Sequence, residues 1–177
     1  MRLFVAINFN DEMKKGLAGV TETLRVNAVK GNFTLTDNLH LTVEFIGETR
    51  NAAGAIRALE TVECEAFTLK TTGPGCFGGG RVCWLGVERS EGLTALYEQV
   101  HRALSSEGFR LEERPFKPHL TLAREVAFQH GFDWNALKVS PLVSPVTEVS
   151  LMKSERIGGR LVYTPVKKRA LAGEIRL

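Results

Sequence analysis

The segment Asn38-Leu39-His40-Leu41-Thr42-Val43 is echoed by Lys117-Pro118-His119-Leu120-Thr121-Leu122, 119 − 40 = 79 residues further on, and the rest of the chain arranges itself around this pair. Self-similarity at a fixed offset is the mark of an internally repeated architecture. The chain has four histidines, His40, His101, His119 and His130. A histidine is followed by Leu-Thr roughly once in a few hundred occurrences by average residue usage, so two in four is not chance. Both motifs read as strands, and in a strand the side chains at i and i+2 point the same way. His40 therefore shares a face with Thr42, and His119 shares one with Thr121. If the two strands face each other, two imidazoles and two hydroxyls converge on one cleft.

Working outward, an amphipathic helix precedes each motif. Met13, Leu17, Val20 and Leu24 recur at helical spacing in a segment running from residue 11 to about residue 29, with Asn10 or Asp11 as its N-cap. Leu93, Leu96, Val100 and Leu104 do the same behind a Ser90 cap, and Gly108 ends the run. A further helix is predicted over residues 51–63, with Asn51 as cap and Ala52, Ala55, Ile56 and Leu59 turned inward. Strands are predicted over residues 3–9, 39–46, 67–71, 81–87, 109–111, 120–123, 146–153 and 161–166, with a last one near 170–176. Gly158-Gly159 supplies a hairpin turn. The stretch Gly73-Pro74-Gly75-Cys76-Phe77-Gly78-Gly79-Gly80 reads as the loop of a long hairpin. It lacks a G-K-[ST] ending and feeds a strand instead of a helix N-terminus, so it is not read as a phosphate cradle. Strands and helices alternate without a clean parallel pattern, which favours an antiparallel-rich α+β fold. The expected architecture is one bilobal domain over residues 1–177, made of two internally related halves that each carry one His-Leu-Thr element. Two antiparallel sheets would be related by a pseudo-two-fold axis, with helices outside and a central cleft.

Two imidazoles and two hydroxyls in one cleft have a chemical meaning. In-line cleavage of a phosphodiester needs a base to take the proton of an attacking water and an acid to protonate the departing oxygen on the opposite side. Imidazole, with an unperturbed pKa of about 6.5, can hold either state near neutral pH. Each role is worth roughly 10² to 10⁴ in rate. Threonine hydroxyls can donate to the non-bridging oxygens. The residues alone do not set which histidine is acid and which is base. His101 and His130 read as structural. A metal centre is a rival use of paired histidines, and Glu44 falls on the ideal strand face of His40 as a third ligand. The closely spaced ligand pairs of hydrolytic metal sites, such as H-E-x-x-H, are absent from the sequence.

Composition narrows the surroundings of this chemistry. The chain has 177 residues, 44% hydrophobic and 24% charged, which is enough for a sizeable core and speaks against disorder. The apolar cluster at the start spans only residues 3–7 and Phe9, with Asp11 and Glu12 close behind, so a cytoplasmic protein without signal peptide or membrane span is expected. Cys64, Cys76 and Cys83 are odd in number and form no C-x-x-C, so reduced thiols, mostly buried, are expected. The net charge of +3 suits an anionic ligand without demanding a long polyanion. Lys167-Lys168-Arg169 is the only basic triplet, and it reads as a solvated strand end.

At this point the residues resemble a known family, the two-histidine (2H) phosphoesterases with paired H-x-T-x motifs, and within it the RNA 2',3'-cyclic phosphodiesterases once called 2'-5' RNA ligases. The likeness rests on Arg2-Leu3-Phe4-Val5-Ala6-Ile7, on the first motif continued through Glu44-Phe45-Ile46-Gly47, and on Phe77 with Arg81-Val82-Cys83-Trp84-Leu85-Gly86-Val87. It also rests on Phe116 with the second motif continued to Ala123-Arg124, and on Ser154, Gly159, Tyr163 and Pro165. The resemblance implies hydrolysis of terminal 2',3'-cyclic phosphates on RNA or oligonucleotides to 2'-phosphates, with no metal or other cofactor. It assigns His40 as proton donor to the leaving 3' oxygen and His119 as proton acceptor from water. Thr42, Thr121 and Arg124 fall on the phosphate-binding positions. Arg124 lies at an odd spacing from His119, and only a bulge or a strand end would bring it to the same face. A monomer without membrane or obligate protein partner is expected. Two alternative functions remain, ligation as the reverse reaction and non-catalytic binding of RNA ends.

Overall fold

The computed structural model describes residues 1–175. These residues form nine strands: β1 (Arg2–Asn8), β2 (Ala28–Phe33), β3 (His40–Glu48), β4 (Phe67–Phe77), β5 (Val82–Val87), β6 (His119–Phe128), β7 (Val143–Val146), β8 (Glu148–Ile157) and β9 (Arg160–Ala170). They also form three α-helices: α1 (Asp11–Val26), α2 (Ala52–Glu60) and α3 (Glu91–Ser106). The strands build two antiparallel sheets, one of four strands in the order β3-β1-β8-β9 and one of five in the order β2-β6-β5-β4-β7. The α+β architecture with one motif strand in each sheet is therefore as the sequence reading anticipates. The sheets do not coincide with the sequence halves. Strand β2 from the first half joins the five-stranded sheet, and β8 with β9 closes the four-stranded one.

Local chemistry explains the helices. The Asn10 side chain accepts from Met13 N at 2.9 Å, which satisfies an amide that the first turn leaves free. Helix α1 then buries Met13, Leu17, Thr21 and Leu24 and packs against β2 and β6. Ser90 caps α3 in the same way, accepting from Leu93 N at 3.1 Å, and α3 buries Leu93, Leu96, Val100 and Leu104. Removing that cap with Ser90→Ala should cost about 1 kcal/mol, read as a lower urea midpoint with an unchanged m-value.

Alternation along β1 sends Leu3, Val5 and Ile7 into one continuous core with Leu41 and Val43 of β3, Leu85 of β5, Leu120 and Leu122 of β6 and the helices. Phe4 and Ala6 face the other way, where they form a second cluster with Met152 and Tyr163. That second face carries the motif histidine of the four-stranded sheet, because the Phe4 and His40 ring centroids are 5.0 Å apart.

Several expected boundaries shift for identifiable reasons. Helix α1 stops at Val26, because Asn27 turns its side chain back onto Thr23 O and the chain then pairs as β2, a strand the sequence reading omits. Helix α2 ends at Glu60, where the Thr61 hydroxyl takes up the Ala58 carbonyl. Most of the supposed glycine loop is strand: β4 runs through Gly73-Pro74-Gly75 to Phe77, with a register shift between Thr71 and Pro74. A bulge is where a strand tolerates proline. Only Gly78, Gly79 and Gly80, at φ 59, 66 and 111, form the turn. Residues 109–111 are not a strand. The single strand expected over 146–153 is two, broken at Thr147, with β7 paired to β4 in one sheet and β8 to β1 in the other. The strand expected over 170–176 is not formed through residue 175, since beyond β9 only Ala172 bridges, in parallel, to Glu65. Arg176 of that expectation lies outside the described residues. The cysteines are free thiols with Cys64 and Cys83 buried, and the Cys76 and Cys83 sulfurs meet at 2.9 Å across β4 and β5.

Candidate active site

Each motif histidine is the first residue of its strand, and each is pinned in the same way. His40 Nδ1 lies 2.7 Å from the carbonyl of Asn38, and His119 Nδ1 lies 2.7 Å from the carbonyl of Lys117. A carbonyl oxygen can only accept, so Nδ1–H donates in both rings and Nε2 is left as the working nitrogen. In the first motif the Thr42 hydroxyl sits 3.0 Å from His40 Nε2, as the i and i+2 spacing requires. Both histidines and both motif threonines are partly buried, so the groups are held yet reachable.

Aromatic rings brace the imidazoles. His40 has Phe4 at 5.0 Å and the edge of Tyr163 at 5.1 Å. His119 has Phe77 edge-on at 5.3 Å and Trp84 at 6.2 Å. Trp84 lies flat over Gly75, where any Cβ would overlap its ring. Phe77, Trp84 and Tyr163 belong to the segments that carry the family resemblance. Their position against the histidines depends on cross-strand register, which no single segment reveals.

The placement of Arg124 depends on a bulge. Strand β6 pairs Thr121 with Trp84 and Ala123 with Cys83, so Leu122 is an extra residue. Leu122 and Ala123 are both buried, and Arg124 emerges on the exposed face that carries His119 and Thr121. The bulge that the odd spacing requires is thus present. Strand β3 has the same irregularity: Ala6 pairs with Thr42 and Val5 with Glu44, leaving Val43 extra.

That second bulge corrects the placement of Glu44. It does not share the face of His40; it is buried, and its carboxylate meets His101 Nδ1 at 2.7 Å on α3. The metal rival therefore loses its third ligand to a structural hydrogen bond, and His101 acquires the structural role expected of it. His130 is exposed. In the basic triplet, Lys168 pairs with Glu148 at 2.9 Å and Arg169 donates to Val62 O at 2.9 Å, in keeping with a strand end.

Electrostatics joins the two sheets. Burial pushes the His40 pKa below the usual imidazole value, and the positive charge of Arg124 pushes it the same way, while the hydrogen bond to Asn38 opposes both. Burial raises the Tyr163 hydroxyl, with Arg124 and Arg2 acting against it. Arg124 stands on the His119 strand, yet its positive charge acts on His40 and Tyr163 of the other sheet, in keeping with the contact between β3 and β6. The Arg124 guanidinium with the ring nitrogens of the two histidines and the hydroxyls of Thr42 and Thr121 would suit an anion that must be held while protons move.

A family model described as the 2'-5' RNA ligase superfamily matches residues 17–158. An RNA 2',3'-cyclic phosphodiesterase from Escherichia coli is 32% identical, with 96% of each chain covered. One from Thermotoga maritima is 36% identical over 70% of each chain. The crystal structure of Escherichia coli LigT complexed with 3'-AMP superposes with a TM-score of 0.80 at 30% identity, covering 97% of this chain and 98% of that one.

Proposed function

The chain belongs to the 2'-5' RNA ligase superfamily, and on that premise we propose that it is an RNA 2',3'-cyclic phosphodiesterase that works by two proton transfers, one at His40 and one at His119. His119 Nε2 takes a proton from water as the water oxygen bonds to phosphorus. His40 Nε2–H protonates the 3' oxygen as the P–O3' bond breaks, leaving a 2'-phosphate. Thr42 and Thr121 donate to the non-bridging oxygens and Arg124 pairs with their negative charge. The observation that carries this reading is the shared tautomer: two histidines from distant segments each tie Nδ1 to a backbone carbonyl and so leave Nε2 as the nitrogen for proton transfer. An assay on an RNA with a 2',3'-cyclic end, run with chelator and resolving 2'- from 3'-phosphate, tests it; loss of turnover on chelation, or a 3'-phosphate product, defeats it. The family's name keeps 2'-5' ligation in view, which is the same displacement run backwards with an RNA 5'-hydroxyl in the place of water. Both products can be counted from one cyclic-ended oligonucleotide.

The lowered pKa of His40 makes a specific prediction about charge. In the free protein His40 is neutral at pH 7, and an anionic phosphate that offsets Arg124 should draw a proton onto it. NMR titration of the His40 ring should give a midpoint below about 6.5 without ligand and a higher one with a saturating 2'-nucleotide. Stability carries the same sign. The unfolded chain takes up this proton first, so the His40 contribution is complete above about pH 6.5 and declines below it. The pH–rate curve should be bell-shaped.

The two halves are read as copies of one unit. What supports this is the matching register: His40, Thr42, Glu44 and Phe45 face Asn8, Ala6, Val5 and Phe4, as His119, Thr121, Ala123 and Arg124 face Gly86, Trp84, Cys83 and Val82. No helix among the described residues is long and apolar enough to cross a membrane. A cytosolic monomer is the proposed state, and sedimentation at the mass of one chain checks it.

A further inference from the structure

The matched registers put Phe45 at the position that Arg124 holds in the other half, so the equivalent strand positions carry a ring in one sheet and a guanidinium in the other. Phe45 is 41% exposed, a large value for a phenylalanine, and the Arg2 guanidinium lies 5.0 Å above its ring centroid. Stacking fixes the plane of the guanidinium while leaving its N–H edge free. Neither Arg2 nor Arg124 is within ion-pair distance of a carboxylate among the described residues. Arg2 follows the face of Phe4 on β1, and its cross-strand partner Ser154 in turn faces Tyr163 on β9. Phe4 touches the His40 ring, and Arg2 is two residues along the strand, about 7 Å further out. That is of the order of one nucleotide step in an unstacked strand.

We infer that Arg2, seated on Phe45, is a second phosphate subsite that grips the phosphodiester one nucleotide upstream of the cyclic end. This rests on the cyclic phosphodiesterase reading and extends it: the preferred substrate is an oligonucleotide end, not a free cyclic mononucleotide. An unpaired, oriented fork beside an open cleft suits bidentate contact with a backbone phosphate, which carries no base information.

The test compares a cyclic mononucleotide, which has no upstream phosphodiester, with a dinucleotide bearing the same cyclic end. Arg2→Ala should raise KM for the dinucleotide about tenfold, since a hydrogen bond to a charged group is worth that much, with kcat nearly unchanged. It should also flatten the logarithmic dependence of dinucleotide KM on salt by about 0.7. The mononucleotide should be turned over as before. Arg2→Lys should recover part of the dinucleotide KM, and Phe45→Leu should lose part of it. Equal effects of Arg2→Ala on both substrates, or none on either, would overturn the subsite while leaving the reaction in place. An unaltered protein that hydrolyses neither substrate would remove the reaction and the subsite together.

Discussion

Replacing His40 or His119 with alanine should lower kcat/KM on a cyclic-ended RNA by roughly 10² to 10⁴, equivalent to about 3 to 5 kcal/mol of barrier. Folding should hardly notice. Both rings are partly exposed, and neither imidazole bonds to anything beyond its own strand and the carbonyl two residues before it. The loss of ring contacts with Phe4 and Tyr163, or with Phe77 and Trp84, should cost about 1 kcal/mol. Thermal unfolding of the variants alongside single-turnover kinetics separates the two effects. Under the proposed acid and base roles, each histidine is needed for the same displacement, so the double variant should be little slower than either single one. Near-normal turnover in either single variant would show that the assigned roles are wrong.

Arg124→Gln should act twice, which makes it the more discriminating change. Losing the donors that hold the phosphate should cost roughly 10² in kcat/KM. Losing the positive charge should also lift the His40 midpoint toward the ordinary imidazole range, since Arg124 is one of the causes that depress it. Arg124→Lys separates the effects. It should keep His40 depressed while losing much of the rate, because an ammonium cannot reproduce the planar fork. If His40 titrates identically in the Gln and Lys variants, the electrostatic link between the sheets is absent.

The legibility of this site in the sequence follows its physics. His40, His119, Thr42 and Thr121 are readable because a strand has period two and the motif occurs twice. Arg124 is half readable: its type and proximity are visible, but its face depends on Leu122 being an unpaired extra residue, which only the pairing with β5 decides. The same cause misplaces Glu44. Strand β2 is hard to read because Ala28-Val29-Lys30-Gly31-Asn32-Phe33 buries nothing fully and has little strand propensity, being held by an edge pairing with β6. Strand β4 passes through Gly73, Pro74 and Gly75, residues that punctuate most chains, and of these Gly75 is required because a Cβ there would overlap the Trp84 ring. The sheet change at Thr147 is hidden in the sequence because the valines on either side of it, Val146 and Val149, are both apolar and buried, so the segment reads as one strand.

The exchange of strands between the sheets also bears on biosynthesis. Strand β1 needs β3 on one side and β8 on the other, so until residues 148–157 leave the ribosome it presents an open edge of unpaired amides and carbonyls. Such an edge on a nascent chain is a template for pairing with other polypeptides. The first histidine wall is thus completed only by β8 and β9, which are translated well after β1 and β3. Truncation before residue 148 should therefore yield aggregates, and a chaperone that shields exposed edges should raise the soluble yield of the whole chain.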